Sequence, residues 1–243
     1  MRYFTILFTL LFLPFTSLAQ DTLRAGHAFE TELLELDQTK TYVHYQQLKD
    51  GRMLPRSMKT ITVSKTEGQF SISQKEYTQS QTKTLETVVD AQMLTTDTHV
   101  RTTGEKRESY KFTVQAISGI PDDQESINKD FQLELTEPTY NFEIDFTFLQ
   151  SIDWSQHTSV IMNFYHPGGS LPPANYTFTR EREEILSLAS GMEVDTWVIF
   201  TDYNGQPPAR FWVSKDTNEV IRQKTDVMEL AGYNFVKQLI TTP

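Results

Sequence analysis

Residues 185–200 read ILSLASGMEVDTWVIF, and how this apolar run is read decides the fold. A single helix would have to carry Ser190 and Gly191 through its middle. Beyond them Val194, Thr196, Trp197, Val198, Ile199 and Phe200 are β-branched or aromatic, poor helix formers and good strand formers. A hairpin accounts for the pattern: residues 185–189 form one strand, Ser190 and Gly191 the turn, and residues 194–201 the next strand. On that second strand Val194, Thr196, Val198 and Phe200 face one way and Trp197 and Ile199 the other. Both faces are largely apolar, so one is expected to meet the core and the other a helix, a loop or a ligand.

Working outward, period two recurs along the chain. It is cleanest in residues 142–148, FEIDFTF, read as a half-buried strand whose polar side carries Glu143 and Asp145 to solvent. Alternation also marks Ile61 and Val63, Phe70 and Ile72, the series Tyr110, Phe112, Val114 and Ala116, and Ala209, Phe211 and Val213. Turn residues separate these runs at Asp50 and Gly51, Glu67 and Gly68, Pro167 to Gly169, Asn204 and Gly205, and Pro207 and Pro208. The expectation is an all-β protein: a strongly curved antiparallel sheet, half barrel or lipocalin-like barrel, with very little helix. The helical candidates are a turn or two in residues 148–154 and a short piece in 123–129.

The chain begins MRYFTILFTLLFLPFTSLAQ. One Arg, an apolar stretch of about a dozen residues and the small residues Ser17 and Ala19 spell a secretory signal peptide cut after Ala19. Its apolar core falls short of the roughly 20 residues of a permanent membrane anchor. Residues 20–243 are then one β domain, with a sub-boundary conceivable only in the acidic loop 118–130. The chain has no cysteine, which removes disulfides, thiolate metal sites and a cysteine nucleophile. Export without disulfides points to a bacterial periplasm or the outer-membrane periphery. Signal removal takes one of 22 basic residues and none of 32 acidic ones, so the net charge moves from −10 to −11. An acidic surface without a basic run argues against nucleic-acid partners.

Catalytic signatures are missing. No Gly-x-Ser-x-Gly elbow occurs, and Glu181, Glu183 and Glu184 read as an exposed strand end beside Arg180 and Arg182. The five histidines are scattered, and His157 and His166 would stand about 30 Å apart on one straight strand. Neither a metal nor a cofactor is expected. The aromatics are by default core, but a curved sheet with little helix to cover it leaves apolar surface for a ligand or partner.

The segments EEILSLASGMEVDTWVIF (183–200) and FWVSKDTNEVIRQKTDV (211–227) resemble a family of exported bacterial β-proteins of uncharacterised function. More distantly they are similar to periplasmic carriers of lipoproteins and lipids, whose curved sheet forms a half barrel around an apolar cavity. The resemblance implies a fold and an environment and carries over no catalytic residues. What it suggests is non-catalytic binding of a lipid or acyl chain near Trp197, Phe200, Phe211 and Trp212. The alternatives are an interaction protein of the cell envelope, with another envelope protein as partner, and, further off, a hydrolytic enzyme.

Overall fold

The computed structural model describes residues 21–23 and 25–240; the expected signal peptide and its expected cleavage site after Ala19 lie outside them. The strands are β1 (Asp21–Thr22), β2 (Thr39–Leu48), β3 (Met53–Thr66), β4 (Gln69–Tyr77), β5 (Thr82–Asp90), β6 (Thr96–Thr103), β7 (Lys106–Phe112) and β8 (Ala116–Gly119). They continue as β9 (Gln132–Glu134), β10 (Tyr140–Asn141), β11 (Ser159–Tyr165), β12 (Ala174–Ser187), β13 (Glu193–Thr201), β14 (Ala209–Ser214), β15 (Val220–Thr225) and β16 (Tyr233–Ile240). Strands take 54% of the described residues and helices 7%, so the expected β dominance holds.

All sixteen strands join one curved, unclosed sheet. Its path runs β1-β11-β12-β13-β14-β15-β16-β2-β3-β4-β5-β6-β7-β8-β9, with β10 paired to β11 off the path. Neighbours are antiparallel except that β1 and β10 lie parallel to β11. The two halves of the chain meet where β16 pairs β2 from Tyr233↔Leu48 to Ile240↔Thr41. The residues 185–200 hairpin stands as read: β12 and β13 pair through Leu186↔Val194, around a turn in which Gly191 has φ 84°. Loop 118–130 joins β8 to β9, which are themselves paired. It forms turns rather than the expected short helix. The alternation from Tyr110 to Ala116 also breaks, because Thr113 Oγ1 accepts from the backbone of Gln115 and Ala116 and folds the chain between β7 and β8.

One segment departs from the sequence reading in a way that organises the molecule. Residues 142–148 are not a strand. Phe142–Ile144 form a 3₁₀ turn and Asp145–Gln150 a short helix, α1. Since β9 and β11 lie at opposite ends of the sheet path, the chain between them has to return across the inner face, and α1 is that crossing. Asn141 Oδ1 accepts from the Glu143 amide at 3.0 Å and starts the turn. At the other end, orphan carbonyls of the helix and the turn after it find side-chain donors, from the wall and from Trp154. Asn218 Nδ2 bonds Gln150 O (2.6 Å) and Ile152 O (3.0 Å), Trp154 Nε1 bonds Leu149 O (2.9 Å), and Arg180 Nη1 bonds Trp154 O (2.5 Å). Every residue of α1 is buried, so the helix is a plug enclosed on all sides and has no need of a polar face.

The core is the contact between plug and wall. Phe146 packs on Tyr42 (5.1 Å between ring centroids) and Phe211 (6.1 Å), and Phe148 on Tyr140 (4.6 Å), Phe164 (5.2 Å) and Phe29 (5.4 Å). A second small cluster of Tyr110, Phe112, Ile117 and Tyr165, with Phe131 against it, links β7 and β8 to β11 by side chains alone. The sheet thus curls until its edges are bridged by rings and not by a ladder. That is an open half barrel rather than a closed lipocalin-like barrel.

Candidate functional site

The inner face changes character along the strands. At the end where β3 turns into β4, the inward residues Phe70, Ile72, Val89 and Leu94 and the neighbouring Trp154 are all buried. Toward the other end, inward positions become His44, Ser57, Lys59, Glu76, Lys83, Arg101 and Lys237. This gradient places a dry core at one end and a polar, aromatic mouth at the other.

The mouth holds an open groove of about 560 Å³, lined by Phe142, His166, Gly169, Ser170, Leu171, Tyr176, Tyr203, Gln206, Pro207, Gln223, Thr225, Val227 and Phe235. Its floor is the Phe142 ring, stacked on His166 at 3.8 Å and in edge or tilted contact with Tyr203 (5.7 Å) and Tyr176 (6.0 Å). Tyr203 is presented by a turn in which it and Asn204 have positive φ, 46° and 56°, and Asn204 Nδ2 ties that turn to Asn175 O at 2.9 Å. At the rim Leu171 and Phe235 are 61% and 46% exposed. The groove is therefore apolar surface that the described residues of this chain leave uncovered.

Behind the groove lies a charged layer. Glu143, read as a solvated surface group, is instead turned into the sheet. Its carboxylate meets Lys83 Nζ at 3.0 Å and Arg101 Nη1 at 3.7 Å, and its carbonyl accepts from Gln74 Nε2 at 2.9 Å. Burial alone would raise this carboxyl, but the charges of Lys83 and Lys59 bring it below the ordinary range. Arg101 also bonds Glu108 and donates to Pro167 O at 2.7 Å. That approach needs Gly168, where an added Cβ would fall 1.8 Å from the guanidinium. Asp145 is likewise buried, and burial raises its carboxyl against the pull of Lys237 and Lys59. Alternation misplaced both carboxylates because it assumed a strand with one wet face.

His44, Ser57 and Glu76 are adjacent in this layer. Ser57 Oγ and Glu76 Oε1 both approach the same ring nitrogen, His44 Nδ1, at 2.9 and 3.2 Å, and Ser57 Oγ donates to Glu76 at 2.8 Å. A nucleophile relay places the serine and the carboxylate on opposite ring nitrogens. Here Nε2 is buried with no partner, so these three residues do not form that relay. Among the described residues no three His, Asp or Glu side chains are grouped to hold a metal ion. His157 and His166 flank opposite ends of β11.

The four aromatic residues singled out in the sequence divide between the two faces. Phe211 packs inward on Phe146 and Phe178 (6.2 Å). Trp197 lies on that same face toward the dry end, capped by Arg180 (4.5 Å) and Lys215 (4.4 Å) over its ring. Phe200 and Trp212 point the other way. Arg210 lies 4.9 Å over Phe200, Arg222 lies 5.8 Å over Trp212, and Trp212 Nε1 donates to Glu184 Oε1 at 3.1 Å. On the second apolar face of β13, and beside it on β14, arginine side chains lie over the rings of Phe200 and Trp212, and Trp212 also lines a separate groove with Arg182, Arg210 and Arg222. None of the four lines the aromatic groove. The residues that do, Phe142, Tyr176, Tyr203 and Phe235, come from four separated segments. Their one sequence signal is an aromatic set beside a turn, as Tyr203 is beside Asn204 and Gly205.

Residues 41–232 match the family described as "Protein of unknown function (DUF3108)". The chain belongs to that family. The matched span runs from β2 to the residues just before β16, so it contains Phe142, His166, Tyr176 and Tyr203 and stops short of Phe235 and Lys237. No curated protein matches the chain.

Proposed function

We propose that this is an exported bacterial envelope protein that holds an apolar chain, a lipid or an acyl group, in the aromatic groove and carries out no chemistry on it. The observation behind this reading is a groove of about 560 Å³ with four aromatic side chains and two exposed rim residues, Leu171 and Phe235. That volume is in the range of small-molecule sites, roughly 300–1,000 Å³. An acyl chain of about a dozen methylenes buried there would gain on the order of 10 kcal/mol before the costs of association. Micromolar affinity is within reach without any catalytic group. The arrangement of Ser57, His44 and Glu76 on one ring nitrogen supports the non-catalytic reading. Export rests on the leader sequence and the absence of cysteine.

The test is titration of delipidated mature protein with a fatty acid, followed by displacement of an environment-sensitive fluorescent probe. Saturation in the micromolar range is expected, weakened at least about tenfold by Phe235→Asp, which would set a charge into the apolar contact. Absence of saturation below about a millimolar would refute the reading.

A further inference from the structure

We infer that the groove's ligand is an amphiphile with an anionic head, a carboxylate or phosphate, received by Lys237 with Lys59 behind it. This rests on the groove being a chain-binding site. Four inward residues form one row across adjacent strands: Gln223↔Lys237, Lys237↔His44 and His44↔Ser57 are direct cross-strand partners. Gln223 lines the groove, so Lys237 is the next side chain inward from its wall. Phe235, at the rim, precedes Lys237 by two residues on the same face.

Two sets of unmet valences meet there. The interior cations Lys40, Lys83 and Arg101 each have a carboxylate partner at ion-pair distance. Lys59 and Lys237 have none within 4.0 Å among the described residues, although both are half-buried, and Lys237 rests 5.2 Å over the Phe146 ring. Buried ammonium groups are ordinarily paired. Independently, Gln223 is only 7% exposed and its Oε1 has no partner. An amide can turn its NH₂ toward an anion, so Gln223 can serve a carboxylate or phosphate oxygen from the groove side.

The other charges facing the lysines are Asp145 from the plug, Glu143 beyond it and Glu76 from β4. Glu143 and Glu76 are engaged by Lys83 and His44, and Asp145, raised by burial, reaches neither lysine at ion-pair distance. Burial and the like charge of Lys237 lower Lys59 to about 8, the mark of a cation short of an anion.

Delipidated full mature chain is titrated at pH 7 with palmitate, with hexadecanol and with inorganic phosphate, using wild type, Lys237→Met and Lys59→Met. Palmitate should bind about ten- to a hundredfold more tightly than hexadecanol, since a hydrogen-bonded charge contact is worth that much. Lys237→Met should remove most of the difference, Lys59→Met part of it, and phosphate alone should not saturate below a millimolar. Equal binding of palmitate and hexadecanol would overturn this inference and leave the chain-binding function standing. Phosphate binding as tight as palmitate would overturn it too, by showing an anion site indifferent to the chain. Failure of both palmitate and hexadecanol to bind would overturn the chain-binding function itself. Circular dichroism of the variants establishes that each is folded.

Discussion

Replacing Glu143 by Gln tests whether the plug is anchored by a buried ion network. The substitution keeps size and the Gln74 bond to the Glu143 carbonyl, but it leaves Lys83 and Arg101 facing a neutral group. Removing one partner of a fully buried pair costs about 3–5 kcal/mol, while an exposed pair is worth about 0–1. The side chains here are 22% (Glu143), 27% (Lys83) and 18% (Arg101) exposed, and Arg101 retains Glu108. A loss of about 2 kcal/mol is therefore expected, read as a lower urea midpoint at unchanged slope and as a fall of about 4–8 °C in melting temperature. Tryptophan fluorescence, to which the buried Trp154 contributes, reports the transition. In Lys83→Met the same change should cost measurably less, because the partners are coupled. A shift under about 0.5 kcal/mol is what a solvated surface carboxylate gives; that result would refute the anchoring argument and favour the strand reading of residues 142–148.

Phe148→Ala should cost about 3–5 kcal/mol, since its fully buried ring touches Phe29, Tyr140 and Phe164; a chemical-denaturation change below 1 kcal/mol would mean that α1 is not part of the core. Phe235→Asp, at a rim position, should change the melting temperature by no more than a degree or two, and a large loss would show that Phe235 is core and not rim. Acid should destabilise the protein in two overlapping windows. Burial holds His99 down at about 4, so between pH 6.5 and 4 the unfolded chain binds more protons and stability falls as pH drops. The His44 bond holds Glu76 at about 2, so its contribution, present above pH 4.5, is lost as pH falls toward 2. Melting temperatures flat from pH 6.5 to 4 would contradict the His99 assignment. On the alkaline side Lys59, lowered to about 8, should make the unliganded protein gain stability from pH 8 to 10.5, because there the unfolded chain holds the extra proton; Lys59→Met should abolish that gain.

Local pattern carried the strands well where one face is buried and the other is not. β4 is such a strand, with Phe70 and Ile72 buried and Gln69 and Ser71 exposed, whereas residues 185–200 could be resolved because a β-branched, aromatic run after Ser190 and Gly191 has no good helical alternative. The same rule failed at residues 142–148, where alternation is coincidental: the segment is wrapped by sheet, so its polar residues are inside too, and Glu143 is met there by Lys83, Arg101 and Gln74. Long-range pairing set that outcome, and nothing local announces that β9 and β11 lie toward opposite ends of the sheet path. The site was hidden for a related reason. Its rings, Phe142, Tyr176, Tyr203 and Phe235, converge only through the curl of the sheet. On the outer face of the apolar β13 strand and its neighbour β14, Arg210 lies over Phe200 and Arg222 over Trp212.

The most direct measurement is photo-crosslinking with a fatty acid carrying a diazirine in its chain, followed by peptide mapping of the labelled mature protein. If the groove holds the chain, label falls on Phe142, Tyr176, Tyr203, Leu171 or Phe235, and unlabelled palmitate competes it away. Label concentrated on Phe200 and Trp212 at the outer face, or label that palmitate does not displace, would contradict the account.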